Sequence, residues 1–382
     1  MHTRFRSRPG FALAVALAAI VIIGAIITGM FFASTQEYRM SRNAALQARA
    51  LTAAEYGLND VMTVGNWQSG WNTATTNGLL ATLSYPPGDG AFDTVRVTKL
   101  NDAMFLVTST GRVGSATGAQ ARHRVGAMVT LAVPQLNMLG ALTTRGSAKI
   151  GGSSYLDGND TTYAGWNCPP AGTGVAGLTM PDTSQISTSG CSNLSCIAGS
   201  PKVSANPAAG NDSTYFNFGP GLGWSDLVAM ASKTYASGTN LNGMIASVTG
   251  GVCNTGSSTN WGDPLHTDPT LAPCQSYFPI IYAQGNLKLT GGEGQGILLV
   301  EGDLTVTGGM EFYGPVIVKG SLSTTGTGGH FNGGVMAANV DLEQNVLLGD
   351  AVIHFSSCAV NKALKGVATP MFMPGRSWTE LY

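Results

Sequence analysis

Six cysteines carry the clearest chemistry in this 382-residue chain: Cys168, Cys191, Cys196, Cys253, Cys274 and Cys358. An even count fits closed disulfides, with fifteen pairings open. Cys253 with Cys274 is the favoured pair: it closes a loop of about 20 residues and would restrict the unfolded chain by about 3 kcal/mol. Zinc is not favoured, because Cys191 and Cys196 stand alone without a CxxC partner. Asp157-Gly158-Asn159-Asp160 could offer oxygens to Ca²⁺ through Asp157, Asn159 and Asp160. The rest of a calcium loop is missing, so a solvated turn is the expectation. Residues Gly172 to Gly177 spell GxGxxG, yet Cys168-Pro169-Pro170 and Pro181-Asp182 flank them where a dinucleotide site needs a strand and a helix. His2, His123, His266, His330 and His354 are scattered without metal-ligand spacing. The acids of the stretch 280–355 are Glu293, Glu301, Asp303, Glu311, Asp341, Glu343 and Asp350. They show no repeated stack of the kind a β-helical glycan enzyme sets on one face. No catalytic residue, cofactor or bound metal is expected, and the chain reads as a non-enzyme.

The elements around these residues are neutral and turn-rich. Gly is 52 of 382 residues, about twice the usual share, and charged residues are only 11%. A formal net charge of −1 gives no reason to expect a nucleic-acid partner. All six cysteines follow an apolar run, Phe11 to Phe32, and no charge stands between residues 9 and 36. Twenty-two residues at about 1.5 Å each reach roughly 33 Å, enough for a bilayer core. Arg4, Arg6 and Arg8 precede the run and the next basic residue is Arg39, so residues after about 34 are expected outside the cytoplasm. A cleaved signal should be shorter and end at small residues. A plain anchor and a prepilin-type stem both fit, the second with cleavage at Gly10-Phe11. Ala45, Leu46, Ala50, Ala53, Ala54 and Leu58 continue at helical spacing, predicting one helix over 11–62, with the span at 11–32.

Pro9-Gly10-Phe11-Ala12-Leu13, the apolar run, Glu37-Tyr38-Arg39-Met40 and Ala53-Ala54-Glu55 together resemble the N-terminal domain of PilX-type minor pilins. They are more loosely similar to the large minor pseudopilin of type II secretion. The resemblance implies a leader over 1–10, cut after Gly10 by a prepilin peptidase that methylates the new amine of Phe11. It also implies other pilins, the pilus assembly machinery and the bacterial inner membrane as partners. Val15 stands where most pilins carry the assembly Glu, which points to a minor, tip-located subunit.

Residues 63–90 read as a loop with Pro86-Pro87-Gly88. The runs 93–100, 104–113 and 124–133 read as strands, with Val125, Ala127, Val129 and Leu131 alternating with Gly126, Met128 and Thr130. A small antiparallel meander over 63–134 is expected. Further on, Gly285, Gly302 and Gly320 recur at steps of 17 and 18, as do Leu287, Leu304 and Leu322, and Thr290, Thr307 and Thr325. A weaker copy, 335–342, places Val340 next, and 141–152 is an early copy with Gly146 and Ile150. Such a step describes a β-solenoid with glycines at φ-positive corners, here over 135–382, broken by a loop-rich insertion at 153–276. Its one helix candidate is Ser225–Tyr235, with Ser225 as N-cap. The fold expected is α+β: a long transmembrane helix, a small antiparallel sheet, then a β-solenoid. The function expected is a minor pilin or pseudopilin-like subunit; the alternatives are a membrane-anchored adhesin and a β-helical glycan enzyme.

Overall fold

The structure is a computed structural model and describes residues 9–63, 67–74, 76–88, 91–115, 118–189, 191–219, 222–337, 345–347, 351–375 and 378–381. Helix α1 runs Pro9–Asp60, about 78 Å at 1.5 Å per residue. Proline at its start costs nothing, since the first N–H groups have no partner anyway. Hydroxyls inside the apolar half bond back to the helix, Thr28 Oγ1 donating to the Gly24 carbonyl at 2.8 Å. Among the described residues only its second half packs against other elements: Ala50, Ala53, Ala54 and Leu58 are buried, whereas Ala45 is exposed.

That half lies on an antiparallel sheet. Strands β1 (Gly78–Gly88), β2 (Ala91–Lys99), β3 (Met104–Ser115) and β4 (Gly118–Ala132) pair in chain order. Two C-terminal strands, Thr369–Phe372 and Trp378–Glu380, add to β4, making six. Val97 faces Val107, and Phe105 faces Val129. These side chains pack under Ala54, Leu58 and Val61 as one core, each large one worth about 1.5–3 kcal/mol of burial. Gly111 sets how closely the helix lies: a Cβ there would stand 2.0 Å from the Ala50 carbonyl oxygen. The expected loop over 63–90 therefore gives way, in part, to edge strand β1 and to a buried turn, Trp67–Trp71, whose Trp67 indole donates to the Val61 carbonyl at 2.7 Å.

Apart from the antiparallel pair Val248–Thr249 and Val252–Cys253, the remaining strands form parallel ladders. Leu287, Leu304 and Leu322 are register partners, as are Thr290, Thr307 and Thr325. An interior column runs Ile281, Leu298, Val316, Val335, Leu142, Leu178, Val203. A second runs Phe312, Phe331, Ile353, Leu156. The early copy at 141–152 thus stacks on the last, Ile150 opposite Leu347. The repeated glycines divide by role: Gly285, Gly302 and Gly320 serve clearance, a Cβ on Gly302 lying 2.7 Å from the Asn286 nitrogen, whereas Gly291, Gly308 and Gly326 turn the chain at φ of 66°, 77° and 69°. Asn286 and Asp303 accept from the backbone one level on, at Asp303 N (2.9 Å) and Ser321 N (2.8 Å).

Three sequence expectations change here. Val340 lies outside the described residues, and the strand paired with Leu322–Thr325 on the next level is Asn345–Leu347, with Val346 opposite Ser323. The segment 153–276 is no simple insertion: Ala176–Met180, Ile186–Ser189, Val203–Ala205, Lys233–Tyr235 and Thr239–Met244 all join the ladders. Asp212–Phe216 is a short helix inside it; the expected helix is Trp224–Ala229, and Lys233–Tyr235 is strand. Ser225 is not its cap; the Asp226 carboxylate accepts from the Gly223 N–H at 2.7 Å.

Candidate functional site

The first half of α1 is bare. Phe11 is 76% exposed, Ile20 69% and Phe32 63%, and none of the apolar window is buried by the described residues. Its length and composition make it a candidate membrane anchor. Some twenty apolar side chains left in water would cost tens of kcal/mol, so something outside this chain must cover them. Gly10 and Phe11 lie in the first turn of this helix, and Val15 is exposed on its surface. Arg4, Arg6 and Arg8 lie outside the described residues.

The six cysteines form three bonds, Cys168–Cys358, Cys191–Cys196 and Cys253–Cys274. Cys253–Cys274 ties the hairpin of Val248–Thr249 and Val252–Cys253 to the turn Pro269–Cys274. Asn260, fully buried beside it, donates to the carbonyls of Ser247 (3.0 Å) and Asn254 (2.9 Å). Cys168–Cys358 links residues 190 apart, from a loop to the helix Ser357–Gly366.

The Asp157–Asp160 segment is a bracket. Asp157 Oδ1 accepts from the backbone N–H and the side-chain amide of Asn159 at 2.9 and 2.7 Å. Asp160 accepts from Gly172 N–H (2.6 Å), Ser357 N–H (2.8 Å) and Ser357 Oγ (2.6 Å). Its oxygens are thus occupied by the chain. The glycine string at 172–177 packs against this bracket: a Cβ on Gly174 would stand 2.4 Å from the Gly158 carbonyl oxygen. Among the described residues no three His, Cys, Asp or Glu side chains are placed to hold a metal ion.

One expectation about the acids fails. Glu293, Glu311 and His330 are register partners and form a row across three levels. The next outward row is Gln295, Tyr313, Asn332, His354, Asp157. His330 Nδ1 stands 3.7 Å from Glu311 Oε1, and the Tyr313 hydroxyl donates to Glu311 Oε2 at 3.3 Å. Burial, then the neighbouring charges of Asp263 and Glu311, pushes the Glu293 carboxyl up. Burial also lowers His354, with Asp157 opposing. The steps of the Glu293, Glu311 and His330 row, 18 and 19, are each one longer than the 17 and 18 of the glycine, leucine and threonine repeat. The other acids do structural work: Glu301 binds Lys319 at 2.5 Å and accepts from the Trp224 indole at 2.9 Å. Asp341, Glu343 and Asp350 lie outside the described residues. Of the remaining histidines, His266 stacks on Trp166 with ring centroids 6.1 Å apart, and His123 faces Glu380 at 3.6 Å.

No family model matches the chain, and no curated protein matches it. A solved structure similar to it is the crystal structure of the competence-associated pilin ComZ from Thermus thermophilus. Identity is 12%, over 88% of this chain and 97% of that one, with a TM-score of 0.24. A score that low carries no weight on fold or role.

Proposed function

We propose that the chain is a minor pilin- or pseudopilin-like structural subunit of a type IV pilus or related secretion filament, and that it is not an enzyme. The observation that carries this reading is the division of α1: a bare apolar half, then a half seated on an antiparallel sheet. The leader is residues 1–10, the span 11–32, and the sheet-forming region begins after the helix. The parallel ladders from about residue 135 are a β-solenoid that the stem displays. A prepilin peptidase removes the leader at Gly10-Phe11 on the cytoplasmic side. The stem then waits in the inner membrane and moves from lipid to the flanks of other pilins. Val15, apolar at the fifth mature position, suits a subunit at or near the tip.

Shearing cells that make the full chain tests this. A filament subunit is expected in the sheared surface fraction. Retention of the whole population in the membrane pellet would favour an anchored adhesin instead.

A further inference from the structure

Beside α1, where the sheet ends nearest the bare stem, there is a cleft of ≈ 450 Å³ lined by Gln47, Arg122, His123, Arg124, Glu380 and Leu381. Arg122 and Arg124 make no ion pair among the described residues. Arg112, the register partner of Arg122, keeps a buried Nε with no hydrogen-bond partner. Glu380 is the acid that lines the cleft, and it faces His123. Arg49, on α1, has a partner of its own. The cleft is therefore rich in guanidinium groups, whose planar fork matches a carboxylate or phosphate.

Two anionic partners could reach it, and distance separates them. The cleft lies level with Gly111, which packs against Ala50. Ala50 is eighteen residues past Phe32, about 27 Å along the helix. The headgroup layer is only about 5–7 Å thick on each side, and charges are screened over about 8 Å in physiological salt. An upright stem holds the cleft well clear of lipid phosphates. A neighbouring stem passes it directly.

The stem itself offers one carboxylate between Phe11 and Ala54: Glu37. It is exposed, it makes no ion pair among the described residues, and Arg39 and Arg42 stand two and five positions on, outside i+3 and i+4 spacing. A carboxylate pressed among apolar helices needs a cation. We propose that the Arg122–Arg124 cleft is the docking site for Glu37 of a second copy of this chain, parallel and shifted by about 20 Å. That shift is the thirteen-residue separation of Glu37 from Ala50 at 1.5 Å per residue. The proposal rests on the filament reading. It supplies a charged key for the stagger in a stem whose Val15 provides none.

The test uses the full chain in lipid, with Arg122→Lys and Arg124→Lys keeping the charge and adding amines. A carbodiimide then joins only touching carboxylates and amines. The expected result is a dimer whose cross-linked peptide joins Glu37 to position 122 or 124, lost in Glu37→Gln. Within one chain these positions are about 20 Å apart along the helix, too far for such a bond. Dimers cross-linked elsewhere, never through Glu37, would overturn this contact and leave assembly standing. A chain that stays monomeric at every concentration would overturn the filament reading with it. Protection of positions 122 and 124 by anionic but not by neutral vesicles would give the cleft to lipid headgroups and overturn the proposal.

Discussion

Asp93 sits beneath α1 with 1% of its surface exposed, its Oδ1 accepting from the Tyr85 N–H at 3.0 Å. Its Oδ2 has no hydrogen-bond partner and lies where a side chain on Gly57 would be. Burial pushes this carboxyl up to about 6; the Tyr85 hydrogen bond opposes and Asp60 adds to the rise. An unfolded Asp titrates near 3.9. The protonated folded form therefore gives stability that is complete below about pH 4 and is lost as pH rises to about 6. Asp93→Asn should raise stability at pH 8 by about 2 kcal/mol and flatten the slope between pH 4 and 6. Thermal melts across that range check it; an unchanged slope would contradict it. The residue scale also shows where reading stops. The Glu293, Glu311 and His330 row was not legible: its steps of 18 and 19 exceed the repeat's 17 and 18, and its third member is not an acid. Of the cleft arginines, Arg124 opens a run that reads simply as strand, and Arg122 stands just before it, in what reads as loop.

Among the elements, α1 and β2–β4 were legible because each has a clean period and punctuation at its ends. Strand β1 was not: Pro86-Pro87-Gly88 and the polar residues before it read as loop, yet an edge strand tolerates proline. The repeats at 285–325 were legible from identical residues at near-constant steps. The two- to six-residue strands between 155 and 244 were not, because loops of varying length erase any step. Thr369–Phe372 and Trp378–Glu380 complete the first sheet from the far end of the chain, a contact no local pattern can announce. The seat of helix on sheet depends on backbone approach at Gly111. Gly111→Ala should cost about 3 kcal/mol, since the Ala50 backbone cannot move aside without opening the core. Gly29→Ala, with open space around it, should leave the melting of the sheet unchanged. Equal melting temperatures for the two variants would refute this seat.

At the scale of the whole molecule, two bodies of strand meet through specific ties. Asn72 donates to the Ala368 carbonyl at 2.6 Å, Thr73 to the Ser276 carbonyl at 3.0 Å, and Lys365 pairs with Asp102 at 3.4 Å. Lys99, buried, reaches the same Asp102 at 3.2 Å and holds its carboxyl below the usual range, with Lys365 adding to the effect. Cys168–Cys358 closes 190 residues, a constraint of about 5 kcal/mol on the unfolded chain. These ties make the β-rich part a firm load on the end of a stem that its own chain leaves uncovered. What the stem becomes in the cell decides the account. The most direct measurement is the mass of the N-terminal peptide of the mature chain taken from its native membrane. A filament subunit should begin at Phe11 with one methyl group on its amine. An intact Met1 leader, or a chain beginning beyond Phe32, would contradict that account.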